Sequence, residues 1–281
     1  MHDPIIPAPG QPPSWRDQLI VKFRREGWRG FVRLYALLKP ITGRRQLRVT
    51  SRYGSQFFLT PWDSVDHHVV MEGFYESEVL EALRPGLSQP GAVLWVVGAN
   101  FGLHAITAKY LHPAATVVAF EPSPAMGARL IEHCDLNNVK IDLHAYALAD
   151  TIGALPFFAN ASGNPGMSTL HPGDDTSNYQ HKFVVATLAA ADVIARGLAP
   201  APTVLLVDAE GAEAEVLRGF GPHLTAPALR TVVFEADNNF LRTSQPAELH
   251  ALVTQAGLTV RQLARNEDTA HSLSNFVGSR E

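Results

Sequence analysis

Three short runs of this sequence carry residue types that bind ligands or move protons. The first is Val93-Leu94-Trp95-Val96-Val97-Gly98-Ala99-Asn100-Phe101-Gly102, an apolar strand that turns on glycine and opens a helix predicted from Leu103 to Leu111. Glycine at 98 and 102 removes side chains where a ligand must approach the main chain, and a helix N-terminus favours a negative group. The second is Phe120-Glu121-Pro122, a strand ending on a carboxylate that can accept both hydroxyl hydrogens of a ribose. The third is Leu205-Leu206-Val207-Asp208-Ala209-Glu210-Gly211-Ala212-Glu213. Its acids stand at a strand's carboxyl end, where open α/β sheets bind ligands. An unpartnered buried Asp208 would be costly, which argues for a working role. Glu213 is equally well explained by electrostatic support of the helix start. The glycines of the first run are four apart with Asn100 between them, unlike the G-x-G-x-x-G of nicotinamide-binding domains. That spacing, with the acids at 208–213, disfavours a nicotinamide oxidoreductase; a tight turn holding no ligand is the plain alternative.

The elements that must position these residues read as alternating strands and helices. Apolar runs at 92–97, 116–120, 141–145, 203–207, 230–234 and 258–263 predict strands buried on both faces of a parallel sheet, with helical crossovers between them. A last run at 272–277 follows too closely for a parallel crossover and predicts an antiparallel closing strand. Upstream, residues 46–60 alternate as a hairpin turning at Tyr53-Gly54, and a helix at 76–83 is predicted to stop at Pro85-Gly86. The prolines at 4, 7, 9, 12 and 13 predict an unstructured leader over 1–13. A helix from Ser14 toward Leu37 follows, stopped by Pro40. It carries Arg16, Lys22, Arg24, Arg25, Arg29, Arg33 and Lys39 against Asp17 and Glu26, so it suits a membrane surface, an acidic partner or simply a solvated face. The expected organisation is a leader (1–13), a helical and hairpin cap (14–85) and an α/β domain (86–281).

Composition narrows the function classes. A net charge of −4 over 281 residues argues against a nucleic-acid binder. One cysteine, Cys134, excludes an intrachain disulfide and a cysteine metal cluster. No apolar run is long enough for stable membrane insertion and the start lacks a signal-peptide core, so a reducing cytoplasm is the expected location. Oligomeric state is not legible from these features.

The ordered set of motifs resembles the FkbM family of S-adenosylmethionine-dependent methyltransferases. It comprises Glu72-Gly73-Phe74-Tyr75-Glu76, the glycine loop and Phe120-Glu121-Pro122-Ser123-Pro124, then Asn137-Asn138-Val139 and Ala147-Leu148-Ala149-Asp150. Gly166-Met167-Ser168-Thr169-Leu170 and the acids at 208–213 complete it. The similarity covers roughly 70–277. It implies a Rossmann-like class I fold, an α/β architecture with a mostly parallel seven-stranded sheet and helices on both faces. It also implies O-methylation of a small-molecule acceptor such as a sugar, a polyketide or a related natural product. By the resemblance, Gly98, Asn100 and Gly102 line the methionine part of the cofactor, Glu121 holds its ribose and Asp150 lies near the adenine. Asp208 and Glu210 face the transferred methyl group and the acceptor. The chain departs from the family pattern at Val96, where aspartate usually binds the cofactor's ammonium group, and at Ala189 and Leu206, where aspartate and lysine are frequent.

For a hydroxyl acceptor, methyl transfer requires in-line alignment and a base. Asp208 and Glu210 are favoured over Asp237 and His104, because they follow the strand where acceptor and methyl should meet. Mg²⁺ held by Asp208, Glu235 and Asp237 is another route to acidifying a hydroxyl; a strand-end hydrogen bond accounts for Glu235 equally, and no metal ligand is assigned. The stretch 160–180, rich in Gly, Asn, Ser and Asp, reads as a mobile loop forming an acceptor lid with the basic helix. The competing expectation is a methyltransferase-fold binding or partner subunit weakened in catalysis by Val96.

Overall fold

A computed structural model describes residues 6–7, 46–60, 63–160, 168–172, 177, 179–237, 246–264 and 273–280. The chain divides into two compact units, Met1–Tyr75 and Glu76–Glu281. The boundary falls before the helix Ser77–Leu87, which the sequence reading had placed in the cap and which packs within the larger unit.

In the smaller unit, β1 (Ile6–Pro7), β2 (Leu47–Thr50) and β3 (Gln56–Leu59) form an antiparallel sheet in that order. The hairpin at 46–60 is therefore present, and part of the expected leader pairs with it: Ile6 lies opposite Arg48 and Pro7 opposite Leu47. An edge strand tolerates proline because one side needs no ladder donors. Helix α1 (Ser64–Glu72) ends on Gly73 at φ 87°, a left-handed cap that glycine adopts without steric cost. The basic helix expected from Ser14 lies outside the described residues.

In the larger unit, α2 (Ser77–Leu87) precedes β4 (Val93–Val97), α3 (Leu103–Leu111), β5 (Thr116–Phe120), α4 (Pro124–Asn137) and β6 (Asp142–His144). Pro85 does not stop α2 but sits in its last turn. There the missing N–H costs one hydrogen bond and the chain leaves within two residues. Next come β7 (Ala147–Ala149), β8 (Gly153–Asn160), β9 (Tyr179–Ala189), α5 (Ala190–Ala195), β10 (Val204–Val207) and α6 (Glu213–Gly219). The unit closes with β11 (Thr231–Asp237), α7 (Pro246–Gln255), β12 (Thr259–Gln262) and β13 (Leu273–Ser279).

The main sheet has seven strands in the order β12-β13-β11-β10-β4-β5-β6. Strands β6, β5, β4, β10 and β11 are parallel, and β13 runs antiparallel between β11 and β12. This is a doubly wound, mostly parallel seven-stranded α/β sheet, the architecture that the resemblance implies. One face packs Trp95, Val97, Phe120, Val207 and Phe234 under α5, α6 and α7. Trp95 is fully buried, and its indole N–H donates to Pro200 O at 2.8 Å. Helices α2 and α3 cover the opposite face, α2 packing on β10 and β11 and α3 on β5.

A second sheet, β7-β9-β8, was not expected. The predicted loop over 160–180 begins on the last residue of β8 and ends inside β9. Thr169 pairs back with Phe158, each N–H donating to the other's carbonyl at 2.9 and 3.0 Å. Residues 161–167 and 173–176 lie outside the described set.

Candidate active site

Strand register places the principal candidates on a single cross-sheet row. Val97 pairs with Phe120 on one side and Val207 on the other, and Val207 pairs with Phe234. One residue further along each strand stand Glu121, Gly98, Asp208 and Glu235, and Glu235 is itself paired with Asn275 of β13. The row therefore runs Glu121–Gly98–Asp208–Glu235–Asn275 along the carboxyl edge. At a strand spacing of about 4.8 Å it spans roughly 19 Å.

The glycine turn follows from crowding within the protein itself. A Cβ on Gly98, at φ 78°, would lie 1.8 Å from the Asp208 carbonyl oxygen. One on Gly102, at φ 93°, would meet Ile106 at 2.7 Å and Leu130 at 3.0 Å. Asn100 also takes a left-handed backbone, φ 51°, which asparagine tolerates better than most residues. Its side-chain oxygen accepts from Phe101 N at 2.8 Å, so the amide braces the turn.

Glu121 is 6% exposed, and each of its oxygens accepts one backbone N–H: Asn100 at 2.7 Å and Ser123 at 2.8 Å. Burial raises its pKa to about 7 even though both bonds favour the charged form. Each oxygen keeps a lone pair for a second donor, as a ribose diol requires.

The loop after β10 is held from three directions. Asp208 N donates to Val97 O at 3.0 Å. The Glu213 carboxylate accepts from Ala209 N at 3.0 Å and from Gly211 N at 2.9 Å, so this residue shapes the loop as well as starting α6. Glu210 takes φ 50°, and the Thr169 hydroxyl donates to its carbonyl at 2.6 Å. Thr169 thus ties the second sheet to the acid loop. Glu235, 8% exposed, faces four carboxylates. Burial and then the charges of Asp208, Glu210, Glu76 and Glu213 push its carboxyl well above the usual range. Glu76, at φ 52°, reaches this edge because it begins α2, whose far end packs on the starts of β10 and β11 through Gly86.

Asp150 follows β7 and joins an ion-pair network. Its carboxylate pairs with Arg218 at 3.4 Å, and Arg218 also binds Glu248. His104 lies in the first turn of α3, where burial lowers its pKa to about 4 and keeps it neutral. Asp237 ends β11, but its side chain lies outside the described residues. Among the described residues no three histidine, cysteine or acidic side chains gather as metal ligands, and no helix is long and apolar enough to cross a membrane. Val96 is buried between Ala119 and Leu206, so β4 itself offers no acceptor for an ammonium group. Acids on that face come instead from Asp208, Glu235 and the head of α2. Sequence reading gave no role to Glu76 or Asn275. Only strand register brings Asn275 here, and Glu76 needed the direction of α2.

The family model described as the methyltransferase FkbM domain matches residues 97–258, more than half of the chain. The hexuronic acid methyltransferase AglP of Haloferax volcanii is 29% identical over 181 residues, 63% of this chain and 68% of that protein. The 31-O-demethyl-FK506 methyltransferase FkbM of Streptomyces tacrolimicus is 36% identical over 93 residues, 32% of this chain and 35% of that protein. A solved SAM-dependent methyltransferase from Agrobacterium tumefaciens covers 83% of this chain and 70% of its own at TM-score 0.48, with 10% identity.

Proposed function

We propose that this chain, which belongs to the FkbM methyltransferase family, carries a methyl group from S-adenosylmethionine to a hydroxyl of a small molecule, such as a sugar or natural product. The observation that carries the reading is the row of carboxylates Glu121, Asp208 and Glu235 flanking the Gly98 turn. Glu121 has the spare lone pairs to accept a ribose diol, the turn through Gly98, Asn100 and Gly102 exposes backbone beside it, and Asp208 adjoins Gly98. Asp208 and Glu76 supply negative charge on the face where Val96 does not, and Glu235, its carboxyl held well above the usual range, adds a polar group there. When bound, the cofactor supplies a methyl group on a sulfonium. The chain's own part is to align the acceptor and take its hydroxyl proton, and Asp208 at the middle of the row, or Glu210 in the loop that follows it, fills that role.

Val96 favours a second reading, a binding or partner subunit that keeps the fold without turnover. A missing charge-assisted hydrogen bond weakens cofactor binding by about tenfold to a hundredfold. Calorimetric titration with S-adenosylhomocysteine, followed by its release assay over hydroxylated acceptors, separates the two. Binding with turnover that falls at least a hundredfold in D208N or E210Q supports the enzyme. Binding without turnover supports the partner subunit, and no binding overturns the cofactor assignment.

A further inference from the structure

We infer that Asn275 and Glu235 form the acceptor end of the site and that they select an uncharged polyhydroxylated compound over a carboxylate-bearing one. The inference rests on the methyltransferase reading above. Phe234 and Phe276 stack on the core face, with centroids 5.5 Å apart and planes at 14°. Their successors in the register, Glu235 and Asn275, therefore project together from the opposite face. Glu76, at the head of α2, shares that face.

Asn275 is 3% exposed, and its side-chain N–H₂ group is buried with no hydrogen-bond partner among the described residues. A buried donor left unsatisfied is destabilising, and a bound ligand that accepts from it removes that cost. The amide stands beside a carboxyl in a row of carboxylates, a donor–acceptor set that matches vicinal hydroxyls, which both give and accept hydrogen bonds. It lies three strands from Gly98, about 14 Å along the row. That distance puts it beyond the glycine turn and past Asp208, on the acceptor side.

The charge of the surroundings sets the selectivity. Burial first, and then the charges of Asp208, Glu210, Glu76 and Glu213, oppose ionisation of Glu235. An acceptor carboxylate seated there would meet the same repulsion, whereas a hydroxymethyl group in its place would not. Selection would therefore run opposite to that named for the Haloferax volcanii relative, a hexuronic acid methyltransferase.

The test uses sugars in pairs differing only at the terminal carbon: methyl glucoside and methyl glucuronide, methyl galactoside and methyl galacturonide, methyl mannoside and methyl mannuronide. Release of S-adenosylhomocysteine is followed with the full chain. The neutral member is expected to show at least tenfold higher kcat/KM in one or more pairs. N275L, which deletes the unsatisfied donor at similar volume, should keep or raise Tm and leave the calorimetric Kd for S-adenosylhomocysteine within twofold. The same variant should raise KM for the neutral sugar at least tenfold. Equal or faster turnover of the uronides, no turnover of any sugar, or an unchanged KM in N275L overturns the inference. Loss of S-adenosylhomocysteine binding in the unaltered chain would instead overturn the methyltransferase reading beneath it.

Discussion

Glu121 braces the glycine turn and the start of α4 with the same carboxylate that the proposed function assigns to a ribose, and burial brings its titration to about pH 7. Protonation converts one acceptor position into a donor, so the Kd for S-adenosylhomocysteine should be flat above pH 8. It should then rise toward tenfold per unit below about pH 7, which calorimetry at fixed ionic strength would measure. Glu210 separates structural from chemical roles in another way. Its left-handed backbone costs a non-glycine residue roughly 1 kcal/mol. E210G is expected to leave Tm unchanged or higher while lowering turnover at least a hundredfold; a matching fall in both would make Glu210 a structural residue. At this scale the sequence was partly legible. Asp208, Glu210 and Glu121 stand out as acids ending apolar runs, whereas Asn275 carries no local signal because only its opposite strand makes it part of a site.

The central strands of the main sheet were readable because burial on both faces leaves continuous apolar runs, and all seven strands, the more exposed β6 and β12 included, fall within a few residues of their expected positions. The antiparallel closing strand was readable too, since a short link from β12 permits no crossover. The sheet β7-β9-β8 was hidden for physical reasons: β8 contains Pro156 and is half exposed, and β9 alternates inward Phe183, Val185 and Thr187 with a Val184 that is 70% exposed. That period-two pattern was available as a signal, but the polar stretch before it reads as loop. The roles of the glycines also emerged only at this scale. Gly98 clears the carbonyl of the neighbouring strand, so G98A should destabilise the fold by about 3 kcal/mol or more by chemical denaturation. Gly219 ends α6 against β7, where a Cβ would lie 2.1 Å from the Ala149 carbonyl oxygen. G219A should therefore cost about 1–3 kcal/mol, and a neutral outcome at either position would mean that the strand contacts differ from those described.

Over the whole molecule, Glu121 and Glu235 make stability fall as pH rises. Both are raised above the ordinary carboxyl value of 4.5, Glu121 to about 7, so over the window between the ordinary and the raised values the folded chain holds protons that the unfolded chain has released. Stability linked to these groups is fully present below pH 4.5 and is lost as pH climbs through their folded values. The ligand-free Tm should accordingly decline over that window, and E235Q should flatten the decline and raise Tm at pH 8. A Tm that rises through the window in the unaltered chain would contradict the burial of these acids. Every residue of the row belongs to the unit Glu76–Glu281, which has its own core. A fragment of residues 76–281 is therefore expected to unfold cooperatively and to bind S-adenosylhomocysteine, as differential scanning calorimetry and titration would report.

Strand β13 enters the main sheet between β11 and β12, both of which precede it in the chain. During synthesis on the ribosome, the donor half of the row (Gly98, Glu121 and Asp208) is translated long before residue 273. Strand β12 waits without its neighbour throughout that interval. A premature stop codon before 273 would thus yield a polypeptide that retains the nucleotide side of the edge but has lost Asn275 and exposed a strand flank. Such a product is a candidate for aggregation and proteolytic clearance, so β13 seals the sheet and, on the inference above, brings in the acceptor end of the row.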